Sequence, residues 1–345
     1  MVEQLVYQLE TDILGRIAYY LSRGSVASAD WQTMKLRDLG LLSYDVQRII
    51  NKYRGRILLQ TGREVEESAE QILRLIRENS PKGKKLVATR TAAMRDIINT
   101  WVSSATSKTN IAMATLAQSA GKKYVAAVSK ASLSVVTGTD TLQKAVMRSI
   151  GELEKLDAFV DKAGRTWTPE GYVKMVVRDN QRRVSTETMF QAAREGDANL
   201  VEISSHAGAR PGCAPYQGRV FWLNTPVDGY DSFYNQTTYG QPDGLLGINC
   251  GHIAYPFWEG VSEKTYSPFP SEENKETYEQ SQQQRAYERK IRYYKRKEAI
   301  ARETVGGEQE AAKWKARVKE SQAELRGFID ETGRTRQRDR EAIYT

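Results

Sequence analysis

The chain is poor in the residues that carry most side-chain chemistry: 345 residues include two Cys, two His and nine Pro. Two cysteines exclude a disulfide framework, and two histidines exclude His-rich catalysis or metal transport. No apolar run approaches the roughly 18–20 residues that a membrane-spanning helix needs. The opening stretch, MVEQLVYQLETDILGRIAYYL, carries acids inside an amphipathic pattern and so does not read as a secretory signal. What is present is charge and moderate apolar content. Charged residues make up 27% and apolar residues 40%, with a mean hydropathy of −0.60. A soluble chain of this length can hold two or three cores.

The net charge of +8 is unevenly spread. Residues 1–79 balance eleven basic against eleven acidic side chains. Residues 80–130 hold nine basic residues, Lys82, Lys84, Lys85, Arg90, Arg95, Lys108, Lys122, Lys123 and Lys130, against the single acid Asp96. Residues 131–270 are slightly acidic, and a second basic stretch, 284–302, sets eight cations against two acids, with Arg289, Lys290, Arg292, Lys295, Arg296 and Lys297 at its centre. Such blocks attract polyanions by counterion release; solvated helix faces with snorkelling stems are the competing reading. No base-reading motif accompanies them, so any DNA contact is expected to be to the backbone and non-specific.

Hydrophobic spacing predicts a largely helical first region, residues 1–155. Val6, Leu9, Ile13, Ile17, Tyr20 and Leu21 recur every three or four residues, a second pattern starts at Ser43 (Val46, Ile49, Ile50, Tyr53), and a third covers 64–77. Ser80-Pro81-Lys82-Gly83 reads as a break, followed by a basic helix through 86–130 with one narrow packed stripe. The texture changes over 156–270. Residues 159–167 alternate around Gly164 like a small hairpin, Thr168-Pro169-Glu170 is a strong helix start, and 200–204 and 219–223 read as short strands. Residues 271–345 are polar and helical, with a break at Gly306-Gly307 and too little apolar content for an independent core, so they are expected to pack on a partner. The fold class is therefore α+β, predominantly α: a helical N-terminal region, a small irregular α+β domain and long polar C-terminal helices.

Every Cys and His lies between His206 and His252. His206, Cys213, Cys250 and His252 form a complete two-Cys, two-His set for tetrahedral zinc. Cys250 and His252 flank Gly251, so an extended chain points both to one side while the glycine lets the backbone bend. His206 and Cys213 enclose a turn-forming segment, Ala-Gly-Ala-Arg-Pro-Gly. A small domain short of aliphatic core gains folding energy from such a clip, and structural zinc is the cofactor this predicts. Two buried free thiols or a Cys213–Cys250 disulfide are the alternatives. The spacing is not that of a C-x2-C finger. Catalysis is disfavoured: there is no HExxH motif, both His are engaged in the cluster, and Glu202 and Glu259 are the only nearby glutamates.

The segment VEISSHAGARPGCAPYQGRVFWL from Val201, followed by GLLGINCGHIAYPFWEG, resembles the phage minor capsid protein 2 family. That family has a strand leading into S-x-H-x-G-A-R, an H-A-P-W-Q-G-K-V element and a G-x-N-C-x-H end. TPEGYVKMVVRDNQRRVS and the tail QQQRAYERKIRYYKRKEAIA are similar to family segments as well. The resemblance is specific over about residues 165–300, and it extends to the head morphogenesis proteins of Mu-like phages. Cys213 stands where the family has His and Tyr216 where it has Trp; a His-to-Cys exchange conserves a zinc ligand. Arg210, Gln217, Gly218 and Asn249 match the motif and are expected to be framework, with Arg210 pairing with an acid, Asn249 holding a loop and Gln217-Gly218 making a turn.

The resemblance implies a structural minor capsid protein of a tailed bacteriophage and no enzymatic activity. It would lie in the virion, inside the head near the portal vertex, after assembly in the host cytoplasm. Its partners would be the portal protein, the major capsid protein and non-specifically bound double-stranded DNA, with self-association possible and no membrane. Two alternatives remain at this point: a co-packaged metal-dependent hydrolase or transferase, and a free nucleic-acid-binding protein.

Overall fold

The computed structural model describes residues 1–24, 28–78, 91–156, 159–160, 164 and 166–343. They divide into two compact units, each assembled from separate stretches of chain. The first comprises residues 1–58, 109–174 and 284–345; the second comprises 59–108 and 175–283. The class expected from the pattern, α+β with helix predominating, is the one observed.

In the first unit, α1 (Val2–Ser22) buries Leu9, Ile13, Leu14 and Ile17 completely. The helix α2 (Ser28–Glu78) is continuous over 51 residues, so the second and third predicted helices are one element. Nothing between them forces a stop: Gly55 and Gly62 are tolerated inside a helix at modest cost. Lys35 on α2 is fully buried and donates to the carbonyl oxygens of Tyr20 and Arg23, each at 2.6 Å, closing the end of α1. The predicted long basic helix is two, α3 (Ala92–Ala114) and α4 (Leu116–Val136), interrupted at Thr115, whose hydroxyl bonds back to the Ala112 carbonyl. The break expected at 80–83 lies outside the described residues. After α5 (Leu142–Gly151) come β1 (Phe159–Val160) and β2 (Thr166–Trp167), paired antiparallel as the hairpin pattern predicts.

The helix α6 (Pro169–Glu195) starts at the predicted cap, where the Thr168 hydroxyl accepts from the Gly171 amide at 3.1 Å. The second unit then builds a four-stranded sheet from β3 (Leu200–Ile203), β4 (Val220–Trp222), β5 (Asp231–Ser232) and β6 (Ala254–Phe257), in the order β5-β4-β3-β6. Central β3 pairs antiparallel with both neighbours, Val201 facing Phe221 on one side and Pro256 on the other, and all four of its residues are buried. The core below combines Ile72, Ile76, Met94, Phe190, Phe221 and Phe233 with both cysteines. The short α7 (Phe233–Gln236) completes this unit's elements before the tail.

The tail forms α8 (Ser271–Glu303) and α9 (Glu308–Thr332), turned at Gly306-Gly307 as expected. It also packs within its own chain. Within the first unit, Ile291, Leu325 and Phe328 make a small core, and α8 docks on α1 of the same chain. Arg296 there is 5% exposed and pairs with the buried Glu10 at 2.9 Å. Its guanidinium lies 3.6 Å from the centre of the Tyr7 ring and also donates to Thr11 and to the Glu154 carbonyl. Glu10 uses its other oxygen to accept the Leu156 amide at 2.6 Å. A tail too polar to make its own large core is thus held by a buried, fully partnered ion pair.

Candidate metal centre

Three stretches of the second unit deliver the Cys and His side chains to one place. Where β3 ends, the Ser204 amide donates to the Ile253 carbonyl and the Ser204 hydroxyl accepts from the Ile253 amide, both at 2.9 Å. That clasp sets His206, just past β3, beside His252, just before β6; their rings are 4.4 Å apart. Cys213 sits on the intervening turn, its amide bonded to the Arg210 carbonyl at 2.8 Å, immediately before a short 3-10 turn, Ala214–Tyr216.

The sulfurs of Cys213 and Cys250 are 3.8 Å apart, and Cys250 Sγ is 3.2 Å from His252 Nδ1. Donor atoms of Cys213, Cys250 and His252 all lie within 4.8 Å of one another, and the three residues are buried. The separation of the sulfurs is nearly twice the roughly 2.05 Å of a disulfide, so that alternative is not the state described. His206 stands at the margin of this trio. Its amide donates to Gln217 Oε1 at 2.8 Å and its Nδ1 is 3.1 Å from the Ala207 carbonyl. Its Nε2 and that of His252 are buried without a hydrogen-bond partner.

A hydrogen bond from the Cys213 thiol to Cys250, reinforced by His252, holds the Cys250 thiol down, while the same bond and burial push Cys213 up. Burial lowers the His206 pKa, which keeps its imidazole neutral and able to ligate. Arg182 stands beside Cys250; burial lowers its pKa and the sulfur's charge offsets part of that.

The framework residues surround the cluster. Gln217, 2% exposed, orients His206 through the bond just described. Gly218 has φ +65°, and a Cβ there would come 2.6 Å from the Tyr266 carbonyl oxygen, so only glycine makes this turn without displacement. Asn249, at φ +60°, accepts from Arg178 at 2.7 Å. Arg210 departs from expectation: it meets the Gly244 carbonyl at 3.2 Å and Cys213 Sγ at 3.7 Å rather than a carboxylate. The reason is position, since its turn faces the 244 loop. Gly251 also has a different role from the one its spacing suggests. It is not in the left-handed region; instead a Cβ would lie 2.6 Å from His206 Nε2, so the glycine leaves room for the imidazole. Gln217, singled out by the motif, supports the cluster as expected, whereas Arg182 as a support carries no local sequence signal.

Among the described residues, neither nearby glutamate is aimed at the cluster. The Glu202 carboxylate is occupied by the amides of Thr265 and Tyr266, at 2.9 and 2.8 Å, and Glu259 is exposed on a turn.

The basic residues are dispersed. Lys82, Lys84, Lys85 and Arg90 lie outside the described residues. On α3, Arg95 is exposed; on α4, Lys122 is exposed and Lys123 half-buried. In the tail, Arg289 and Lys290 are exposed, Lys290 pairing with Glu324 at 2.7 Å. Arg292 and Lys295 are half-buried and bonded to the carbonyls of Arg340 and Glu341. Arg296 and Lys297 are corrected as surface contacts. They are 5% and 4% exposed, with Lys297 donating to the Gly151 carbonyl at 2.5 Å. Their charge is spent inside the chain.

Comparison with known proteins agrees with this architecture's strongest sequence signal. A protein described as a structural protein, from Lactococcus phage LL-H, is 30% identical over 340 residues, which takes in 91% of this chain and 89% of the relative. A structural protein of Lactococcus phage mv4 is 38% identical over 106 residues, 30% of this chain and 85% of the relative. No solved structure matches. The family model for phage minor capsid protein 2 matches residues 1–330, and the chain belongs to that family.

Proposed function

We propose that the chain is a structural component of the virion, placed inside the head near the portal vertex, where it bridges portal and capsid subunits and lies against packaged DNA. The observation that carries the DNA contact is the basic surplus of residues 80–130, where nine cations meet one acid. Its described members Arg95, Lys108 and Lys122 are solvent-exposed on helices. The kinship with phage structural proteins supports the location. Burial of Arg296 and Lys297 leaves the tail fewer free charges, so residues 80–130 are the principal phosphate-facing segment. Helical packing, not catalysis, is the mechanism: the chain adds a folded, cationic surface to the inner head and assists assembly and DNA retention or release.

The test is the salt dependence of DNA binding by the full chain. Simultaneous Lys82→Glu, Lys84→Glu and Lys85→Glu should flatten the slope of log affinity against log salt by about 0.9 for each phosphate contact removed. An unchanged slope would mean that these lysines do not touch phosphate. Absence of the protein from purified particles would overturn the location.

A further inference from the structure

We infer that His206, Cys213, Cys250 and His252 bind one zinc ion in a closed tetrahedral site that fastens the end of β3, the 210–216 turn and the start of β6. The inference is independent of where the protein sits in a particle.

The cluster already has the dimensions of such a site. In a tetrahedron with Zn–S bonds of about 2.3 Å and Zn–N bonds of about 2.0–2.1 Å, two sulfurs lie about 3.8 Å apart and a sulfur and a nitrogen about 3.5 Å apart. The observed separations are 3.8 Å for Cys213 and Cys250, and 3.2 Å for Cys250 Sγ and His252 Nδ1. Two of the three edges of this face thus match, and the third, Cys213 to His252, lies within 4.8 Å. The fourth ligand comes from His206, whose ring lies 4.4 Å from that of His252 and whose Nε2 is buried and unpartnered. The hydrogen bond from its amide to Gln217 and the missing side chain at Gly251 keep that nitrogen beside the chain carrying the other two ligands. His206 is not among the three residues whose donor atoms already lie within 4.8 Å of one another, so its ring has to turn toward them to close the coordination shell.

The donor chemistry selects the metal. Two thiolates and two imidazoles in a tetrahedral arrangement favour zinc over the hard oxygen-seeking cations. The two thiolates neutralise the dication, so a closed site buries no net charge in the core containing Phe221, Phe233 and both cysteines. Loading displaces the thiol protons to solvent, and no electron is transferred.

The experiment is elemental analysis of the full chain purified without chelator, joined to thiol titration. About one zinc per chain, with both thiols protected until a chelator is added, is the expected result. Zinc-free protein that takes up none when zinc is supplied, with both thiols titrating freely, would overturn the proposal and needs no variant. Cobalt substitution reads the geometry. The parent should give the intense visible bands of tetrahedral cobalt with sulfur-to-metal charge transfer. His206→Ala should keep the charge transfer, lose tetrahedral intensity and weaken zinc by at least about tenfold in competition with a chromophoric chelator. Unchanged affinity and spectrum in His206→Ala would refute the fourth ligand and with it the closed site.

Discussion

Gly251→Ala tests the centre without touching a ligand. The glycine is not in the left-handed region, so alanine fits its backbone, and a typical compatible substitution of this kind stabilises a protein by about 0.4–1 kcal/mol through the unfolded chain. Here the added Cβ would sit 2.6 Å from His206 Nε2, 3.1 Å from its Cδ2 and 3.2 Å from its Cε1. The ring must retreat by roughly 0.9 Å to reach the ~3.5 Å at which non-bonded atoms attract. A metal–nitrogen bond tolerates only about 0.2 Å of error, so a methyl crowding the ring on the Gly251 side hinders His206 from settling at the ion. Weakening of at least about 10–100-fold follows, the range seen when a ligand's support is removed, equivalent to roughly 1.4–2.7 kcal/mol. Chelator competition measures it, and thermal unfolding with and without zinc should show a smaller metal-dependent rise in Tm. Gly212→Ala is the matched control. Its nearest neighbour, the Asp243 carbonyl, would be 3.8 Å from the new methyl, so zinc affinity should stay at the parent level. If Gly251→Ala binds zinc as tightly as Gly212→Ala, His206 does not ligate and the steric argument fails.

Other outcomes follow from the packing. Glu10→Ala leaves Arg296 buried without its carboxylate and should cost about 3–5 kcal/mol in urea unfolding, whereas Glu10→Leu combined with Arg296→Met should recover most of that loss. A single variant as stable as the parent would show that the pair does not hold α8 to α1. Gly218→Ala forces a side chain into a left-handed turn and onto the Tyr266 carbonyl; a loss of about 1–3 kcal/mol is expected, read as faster amide exchange in β3 and β6.

Local patterns were readable and distant pairings were not. The cap at Thr168-Pro169, the hairpin around Gly164, the strands at 200–203 and 220–222 and the turn at Gly306-Gly307 each depend on residues within a few positions, so spacing alone announces them. The continuity of α2 was missed because weak apolar stretches look like gaps when neighbouring packing is unknown. Arg296 and Lys297 illustrate the limit most directly. A tally by segment adds them to a basic patch, yet Arg296 is neutralised by a carboxylate 286 positions away in sequence. At the metal centre, residue type and rarity identified His206, Cys213, Cys250 and His252 as candidates, and the structure brings their side chains together. Arg182 supports the cluster through a contact that no spacing rule describes.

The interleaving of the two units has a consequence for how the chain is made. The second unit has all its residues once Gln283 has been synthesised, while the first still lacks its last stretch. At about 5–20 residues per second, the interval between Leu58 and Gln284 lasts roughly 10–50 s. For that time Glu10 waits for its countercharge, and α1 for the helix that covers its Tyr7 face. The Cys/His unit therefore has its full chain available before the unit that includes residues 1–58 and 284–345 does. No single cut in the chain can separate one from the other.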